Sequence, residues 1–386
     1  MTFNHRVAGP NPARLTIFAT FFAAVRQDMC YTRYMKHFLI PESGNFYKAN
    51  LHCHTKLSDG SLTPAQIKEV YKSHGYAIVA FTDHELLHDN SALTDDGFLA
   101  LTGYEIAANG PASGVGPFNE EKCVHLNLLG RDPHGVTHVC YHPDPVRWCD
   151  HEGVADIAPH FGEITPHENT AAWVNRVIRE AREHGFIVAF NHPSWSCLNY
   201  EDYKDYEGFW GLELFNSGCD RAGNLDTPVV FDYFLRQGKF PFPLATDDNH
   251  GGLARVDMPG SDMLQGWVVV RAPRLDYDTV FAALERGDFY ASTGPSFHEL
   301  YVEDGAVHVS CSPVRRIWVN TAGRATFRAY PAAEGELIDK AELRFAYKDE
   351  AGTWKTGARG YIRVTIEDAA GRLAWSKALP VADLLD

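Results

Sequence analysis

The chain is short of basic residues: 35 Lys and Arg stand against 50 Asp and Glu, a formal net charge of −15. Broad binding to a phosphate backbone needs a basic face, so no long nucleic acid is expected as a partner. A short or terminal phosphate held through metal ions stays compatible with that balance. No apolar run approaches the roughly 20 residues of a membrane-spanning helix, so no membrane partner is expected. The eight cysteines include no C-x-x-C pair. No disulfide framework is therefore indicated, and a reducing, cytoplasmic location fits. There is no G-x-S-x-G and no G-x-x-x-x-G-K-[ST], which removes the usual serine elbow and phosphate-cradling loop. Histidine, by contrast, is abundant: 19 residues, of which 14 lie from His52 to His192.

The length of 386 residues predicts one large domain or two ordinary ones, and 45% hydrophobic content suffices for a substantial core. Residues 1–46 read as an N-terminal extension. Within it Leu15–Val25 is apolar and follows Arg6 and Arg14, but it is short, lacks an A-x-A exit and runs into Arg26-Gln27-Asp28. A dispensable extension, with the working protein starting near Met35, is favoured over a secretory signal.

From residue 47 a helix–glycine–strand unit recurs. Thr63-Pro64-Ala65-Gln66 combines an N-cap, a first-turn proline and a capping-box glutamine. Ile67, Val70 and Tyr71 follow at helical spacing, Gly75 stops the helix, and Ala77–Phe81 reads as a buried strand. Further copies run from Thr170 to Gly185 and Phe186–Phe190, from Thr227 to Gly238 and Phe242–Ala245, and from Asp278 to Gly287 and DFYAST. Apolar strands alternating with amphipathic helices predict a parallel sheet covered by helices, closed or nearly closed into a βα barrel over residues 47–296. Residues 297–386 change texture: short strand candidates such as VHVSC, RIWVN and YIRVTI, separated by glycine turns, predict a small all-β domain of sandwich type without clustered ligands.

The strands end in metal-binding residue types, as catalytic groups of such barrels do. In Asn50-Leu51-His52-Cys53-His54 the two histidines share a strand face. Asp59 follows in LSDG, and His84, Glu105, His125, His192, Asp248 and His250 follow strand-like runs. Neutral imidazoles and carboxylates on one rim can bind divalent ions, and ligation by N and O without thiolate suits Zn²⁺, Mn²⁺ or Fe²⁺. Two rival metal motifs weigh less. His84-Glu85-Leu86-Leu87-His88 is formally H-E-x-x-H, but that chemistry needs one continuous helix, and His84 ends a strand. Cys140-x-His142 and Cys149-x-His151 match no common zinc spacing. Arg221 and Arg255 follow barrel strands and are candidates for anion contacts or plain surface charge.

NLHCHTKLSDG, AFTDHE, LTGYE, VHLNLLG, FNHPSW and TDDNHG, in that order, resemble the PHP (polymerase and histidinol phosphatase) superfamily of metallohydrolases over about residues 47–296. YKANLHCHT, GDFYASTGP and RLAWS are similar to its carbaryl- and carbamate-hydrolase branch. The resemblance implies a distorted (β/α)7 barrel holding up to three divalent ions. His52, His54, Glu105 and Asp248 would hold one; Glu105, His125 and His192 a second, with Glu105 bridging; Asp59, His84 and His250 a third. Aligning TDDNH on His250 makes Asp248 the ligand, with Asp247 its competitor. Glu105, Asp248 and His250 are also the candidate catalytic residues. The implied reaction is hydrolysis of a small-molecule ester by metal-activated hydroxide, with a phosphate ester or nucleotide favoured. A carbamate or carboxylic-ester hydrolase on the same site and a noncatalytic metal-binding module are the alternatives.

Overall fold

The computed structural model describes residues 36–110, 119–143, 158–225, 228–256, 258 and 260–385. Its strands and helices in chain order begin with β1 (His37–Phe38), β2 (Asn45–Asn50), α1 (Pro64–Ser73), β3 (Tyr76–Phe81), β4 (Leu99–Asn109) and β5 (Cys123–Gly130). There follow α2 (Ala171–Glu183), β6 (Phe186–Phe190), α3 (Tyr200–Tyr203), β7 (Gly211–Asn216), α4 (Ser217–Arg221), α5 (Pro228–Arg236), β8 (Phe242–Thr246), β9 (Trp267–Ala272), α6 (Tyr277–Arg286) and β10 (Phe289–Ser292). The remainder is strand: β11 (Phe297–Glu303), β12 (Ala306–Val314), β13 (Arg316–Thr321), β14 (Phe327–Ala329), β15 (Ile338–Arg344), β16 (Ala346–Lys348), β17 (Trp354–Thr356), β18 (Tyr361–Glu367), β19 (Leu373–Trp375) and β20 (Leu379–Pro380).

The local signals act as their chemistry predicts. The Thr63 side chain accepts from Gln66 N while the Gln66 side chain accepts from Thr63 N, so two orphan helix donors are satisfied reciprocally. Ile67, Val70 and Tyr71 form the buried stripe of α1, and the chain leaves through Gly75 at φ +78°. Thr170 caps α2, whose Trp173, Val174, Val177, Ile178 and Ala181 face the sheet. The cap aligns the helix and the stripe fixes which face is buried.

The architecture is mixed α/β and richer in sheet than a strict alternation of strand and helix. β2, β3 and β4 run parallel, as do β6, β7 and β8, but β5 is antiparallel to both β4 and β6. The chain returns from β4 to β5 without an α-helix among the described residues, carrying only a 3₁₀ turn at Asn119–Glu121, so the expected all-parallel order breaks there. The fourth helix–glycine–strand unit also forms, but β10 pairs antiparallel with β9 and with β19. The sheet therefore continues into the C-terminal strands in the order β14-β13-β18-β19-β10-β9-β2-β3-β4-β5-β6-β7-β8. Past the end of β8, Asn249 forms a parallel bridge with Cys53, Asp248 N donates to His52 O, and His54 N donates to Asn249 O. The outgoing ends of β2 and β8 thus lie side by side.

One core packs α2, α5 and α6 on the sheet, with Ile178, Phe190, Phe234 and Phe281 buried among its members. A second core joins Val269 and Tyr290 to Val307, Val319 and Ile362 of the C-terminal strands. Leu39 and Ile40 belong to this second core, and β1 pairs with β11. Among the described residues, no helix is long and apolar enough to cross a membrane.

Candidate metal centre

All nine candidate ligands meet at one rim of the sheet, at or beyond the outgoing ends of the parallel strands and at the incoming end of the antiparallel β5. His52 and His54 follow β2, Asp59 lies in the next loop, His84 follows β3, Glu105 and His125 lie in β4 and β5, His192 follows β6, and Asp248 and His250 follow β8. Glu105 sits among five imidazoles. Its Oε1 is 3.2 Å from His125 Nδ1 and 3.4 Å from both His52 Nε2 and His192 Nε2; its Oε2 is 3.1 Å from His84 Nδ1 and 3.4 Å from His54 Nε2. Asp248 Oδ1 is 3.0 Å from His54 Nε2 and 3.2 Å from His52 Nε2. At the outer side Asp59 Oδ2 is 3.4 Å from His250 Nε2 and 3.7 Å from His84 Nε2, and Asp59 Oδ1 is 3.7 Å from His54 Nδ1. His54 and His84 therefore stand between the inner and outer groups.

These donors fit divalent cations. His54 Nδ1, Glu105 Oε2 and Asp248 Oδ1 are buried without a hydrogen-bond partner, although ring nitrogens crowd both carboxylate oxygens. His52 Nε2 and His54 Nε2 lie 3.1 Å apart. Buried polar atoms are ordinarily paired, and ring nitrogens and carboxylate oxygens that converge without a hydrogen-bond partner are the donor set a divalent cation would take up. Four groupings offer ligand atoms within 4.8 Å of one another: His54, Asp59, His84 and His250; His52, His54 and Asp248; His84, Glu105 and His125; and His52, His192 and Glu213.

Glu213 was not anticipated from the sequence. Its Oε1 accepts from His52 Nδ1 at 2.8 Å and Thr246 Oγ1 at 2.6 Å, and its Oε2 from His192 N at 2.9 Å and Asn216 Nδ2 at 3.0 Å. A proton on Nδ1 turns the Nε2 lone pair of His52 towards the cluster, the usual work of a carboxylate behind a ligating histidine. Asn191 Nδ2 holds Glu105 Oε1 at 2.7 Å, and Asn216 Nδ2 holds Asp248 Oδ2 at 3.1 Å. The signal that could have exposed Glu213 is a single carboxylate inside the apolar strand GLELFN.

The doubled aspartate separates in space. Asp248 joins the histidines, whereas Asp247 accepts from Tyr71 Oη and from the backbone N–H groups of Leu264, Gln265 and Gly266. Burial pushes the Asp247 carboxyl up to about 6 against those hydrogen bonds. Burial also opposes charge on Glu105, but His52, His125 and His84 hold it well below the usual carboxylate range. Asp248 is likewise held low against burial by His52, His54 and His250. Burial and the neighbouring His54 depress His84 to about 3, leaving it neutral and able to ligate.

Glu85, His192 and Asp248 have φ of +55°, +24° and +49°. Non-glycine residues rarely hold this region, and here it occurs at the ends of three strands that bear the cluster. Residues 82–90 contain no helix, so His84 and His88 do not form a helical H-E-x-x-H site. Cys140 Sγ contacts Glu180 Oε2, and neither Cys140 nor His142 belongs to any potential metal group among the described residues; Cys149 and His151 lie outside them. A cavity of about 480 Å³ opens over the cluster, with Trp195 and Arg221 in its wall; Arg255 does not line it.

No family model matches the chain, and no curated protein matches it. Among solved structures it aligns with a two-domain Bacteroides vulgatus protein containing a predicted PHP-like metal-dependent phosphoesterase, at 13% identity and TM-score 0.40, over 89% of this chain and 98% of that one. A Bifidobacterium adolescentis protein provisionally named a metal-dependent phosphoesterase aligns at 18% identity and TM-score 0.30, over 54% of this chain and 90% of that one. An amidohydrolase from Chromobacterium violaceum, with bound sulfate and no metal, aligns at 16% identity and TM-score 0.33, over 55% and 92%. These scores are too low to carry a functional conclusion, which rests on the chain's own residues.

Proposed function

We propose that the protein is a metal-dependent hydrolase of the PHP type, acting on a small phosphate ester. The observation that carries this reading is the buried set of unpaired ligand atoms, His54 Nδ1, Glu105 Oε2 and Asp248 Oδ1, beneath an open cavity. The seven strands β2 to β8, with Asn249 bridged back to Cys53, support a distorted (β/α)7-type barrel as the frame. Up to three ions, Zn²⁺, Mn²⁺ or Fe²⁺, would be held by His52, His54, Glu105 and Asp248, by Glu105, His125 and His192, and by Asp59, His84 and His250. Such ions supply a water acidified to a pKa of about 7 and stabilise charge developing on a phosphoryl or carbonyl oxygen.

The chain's own residues supply orientation. Glu213 and Asn216 fix the inward faces of His52 and Asp248, and Asn191 fixes Glu105. The ring of His250 is tied through Nδ1 to Asp248 O at 3.0 Å, leaving Nε2 towards Asp59. Glu105, Asp248 and His250 all line the cavity and are the groups proposed to meet the reacting ester. Arg221 in the wall supports an anionic substrate. The carbamate or carboxylic-ester reading draws on the apolar wall atoms of Ala107, Cys219 and Ala222.

The test is reconstitution of metal-free protein with each ion, followed by aryl phosphates, nucleotide phosphates, aryl acetates and aryl methylcarbamates. Turnover of the phosphates is the expected result. Turnover confined to the acetates and carbamates would replace the phosphoesterase choice with the carbonyl one. No turnover by fully loaded protein would favour a noncatalytic binding role.

A further inference from the structure

Among the cavity-wall residues outside the ligand set, Trp195 offers an aromatic face and Arg221 a positive charge. Trp195 lies three positions after His192, in a turn held at several points. Ser196 N donates to His192 O at 3.1 Å, Ser196 Oγ meets His192 Nδ1 at 3.2 Å, and Cys123 N donates to Ser196 O at 3.2 Å. The indole packs against His125 and His192 with ring centroids 5.5 and 5.0 Å away at steep angles, yet Trp195 remains 42% exposed. A large aromatic surface is thus presented beside two candidate ligands on a fixed turn. A surface ordered before binding costs little entropy when a flat group settles on it.

Arg221 ends α4, on the loop after the neighbouring strand β7. Among the described residues lining the cavity it is the single Lys or Arg, alongside the carboxylates Asp59, Glu85, Glu105, Asp248 and Asp262. Its Nη1 lies 3.6 Å from Asp262 Oδ2, and Asp262 Oδ2 also accepts from His250 N at 3.1 Å. Asp262 therefore ties the guanidinium to the loop that carries His250. The contact is too long for a bidentate pair, so donors stay available to an oxyanion.

Resting on the hydrolase reading above, we propose that Trp195 and Arg221 set specificity for phosphate monoesters with a planar aromatic leaving group. The indole would stack the leaving group while the guanidinium draws the phosphoryl oxygens. A neutral aryl ester would use only the first contact and an alkyl phosphate only the second.

The experiment is calorimetric binding of phenylphosphonate and methylphosphonate to the metal-loaded full chain, with metal content measured in every variant. Neither phosphonate is hydrolysed, so binding reports on this proposal even if the protein turns over no ester. Trp195→Leu keeps apolar bulk against His125 and His192 but offers no aromatic face. It should weaken phenylphosphonate about tenfold and leave methylphosphonate within about twofold, with Trp195→Phe restoring most of the difference. Arg221→Gln should weaken both phosphonates about tenfold at unchanged metal content. Equal affinity of the wild type for both phosphonates, failure to bind either, or equal losses in Trp195→Leu would overturn the aromatic assignment. Unchanged phosphonate binding in Arg221→Gln would overturn the role of the guanidinium.

Discussion

Replacing Glu213 by Gln alters one charged atom pair at the back of the cluster and should weaken the whole site. Each carboxylate oxygen now accepts two hydrogen bonds: Oε1 from His52 Nδ1 and Thr246 Oγ1, Oε2 from His192 N and Asn216 Nδ2. With the new NH₂ in the place of Oε2 it faces two donors, and each buried unpaired donor costs about 1–3 kcal/mol. With NH₂ in the place of Oε1, Thr246 can turn its hydroxyl to accept, but His52 must accept at Nδ1 as well. Its proton then moves to Nε2, which points at Asp248 and His54 and can no longer ligate. The second arrangement strands fewer buried groups, so the variant should fold and bind metal poorly. Loss of a partner behind a ligating histidine costs about 10–100-fold in affinity, or roughly 1.4–2.7 kcal/mol. Competition with a chromophoric chelator measures that affinity, and the thermal midpoint of metal-free protein measures folding. Unchanged metal affinity in Glu213→Gln would refute the orienting role.

Three further outcomes follow from other parts of the molecule. His138 accepts at Nε2 from Leu87 N at 2.9 Å, its Nδ1 meets Pro159 O at 3.1 Å, and burial depresses it to about 4. The unfolded chain therefore binds the extra proton first, and up to roughly 3 kcal/mol of stability is lost as pH falls from 6.5 through 4; thermal midpoints of His138→Gln should fall less over that window than those of the wild type, and parallel pH profiles would contradict this. A Cβ on Gly60 would lie 2.6 Å from the His54 carbonyl carbon and oxygen, so Gly60→Ala should displace the Asp59 loop and lower metal stoichiometry before it lowers the thermal midpoint; full stoichiometry in the variant would count against a ligating Asp59. Arg363 donates from Nε and Nη2 to the two oxygens of Asp232 at 2.8 Å each, and Tyr361 Oη donates to the same carboxylate, so Asp232→Asn should cost about 3–5 kcal/mol of stability in denaturant titration and leave metal stoichiometry unchanged.

What was legible in the sequence is what depends on neighbours along the chain. The capping box at Thr63 and Gln66 and the glycine exit at Gly75 act within a single turn and form as expected. His52 and His54 could be paired on the two-residue repeat of an expected strand. β2 ends at Asn50, but past it Cys53 bridges to Asn249, both rings reach Asp248 Oδ1, and the other seven candidates gather around them. The direction of β5 was not legible: an apolar run looks the same in a parallel or an antiparallel ladder, and the return from β4 decides between them. Glu213 was missed because its partner His52 lies 161 positions away, and the run GLELFN says nothing about what faces it. The choice between Asp247 and Asp248 also waited on tertiary structure, since adjacent residues point apart and only the positions of Tyr71 and the 264–266 backbone show which is engaged elsewhere. The two-residue strand His37–Phe38 carries no periodicity at all; it exists because β11 offers an edge beside the second core.

The most direct test of the central claim is metal stoichiometry measured together with turnover. Metal-free protein is titrated with Zn²⁺, Mn²⁺ and Fe²⁺, bound metal is counted per chain, and aryl phosphate hydrolysis is followed at each point. The nine-residue centre predicts more than one ion per chain in the wild type, activity that rises with occupancy, and loss of both in Glu105→Ala, because Glu105 contacts five histidines on both of its oxygens. A wild-type chain that binds no divalent ion tightly, or a Glu105→Ala variant with unchanged stoichiometry, would contradict the account.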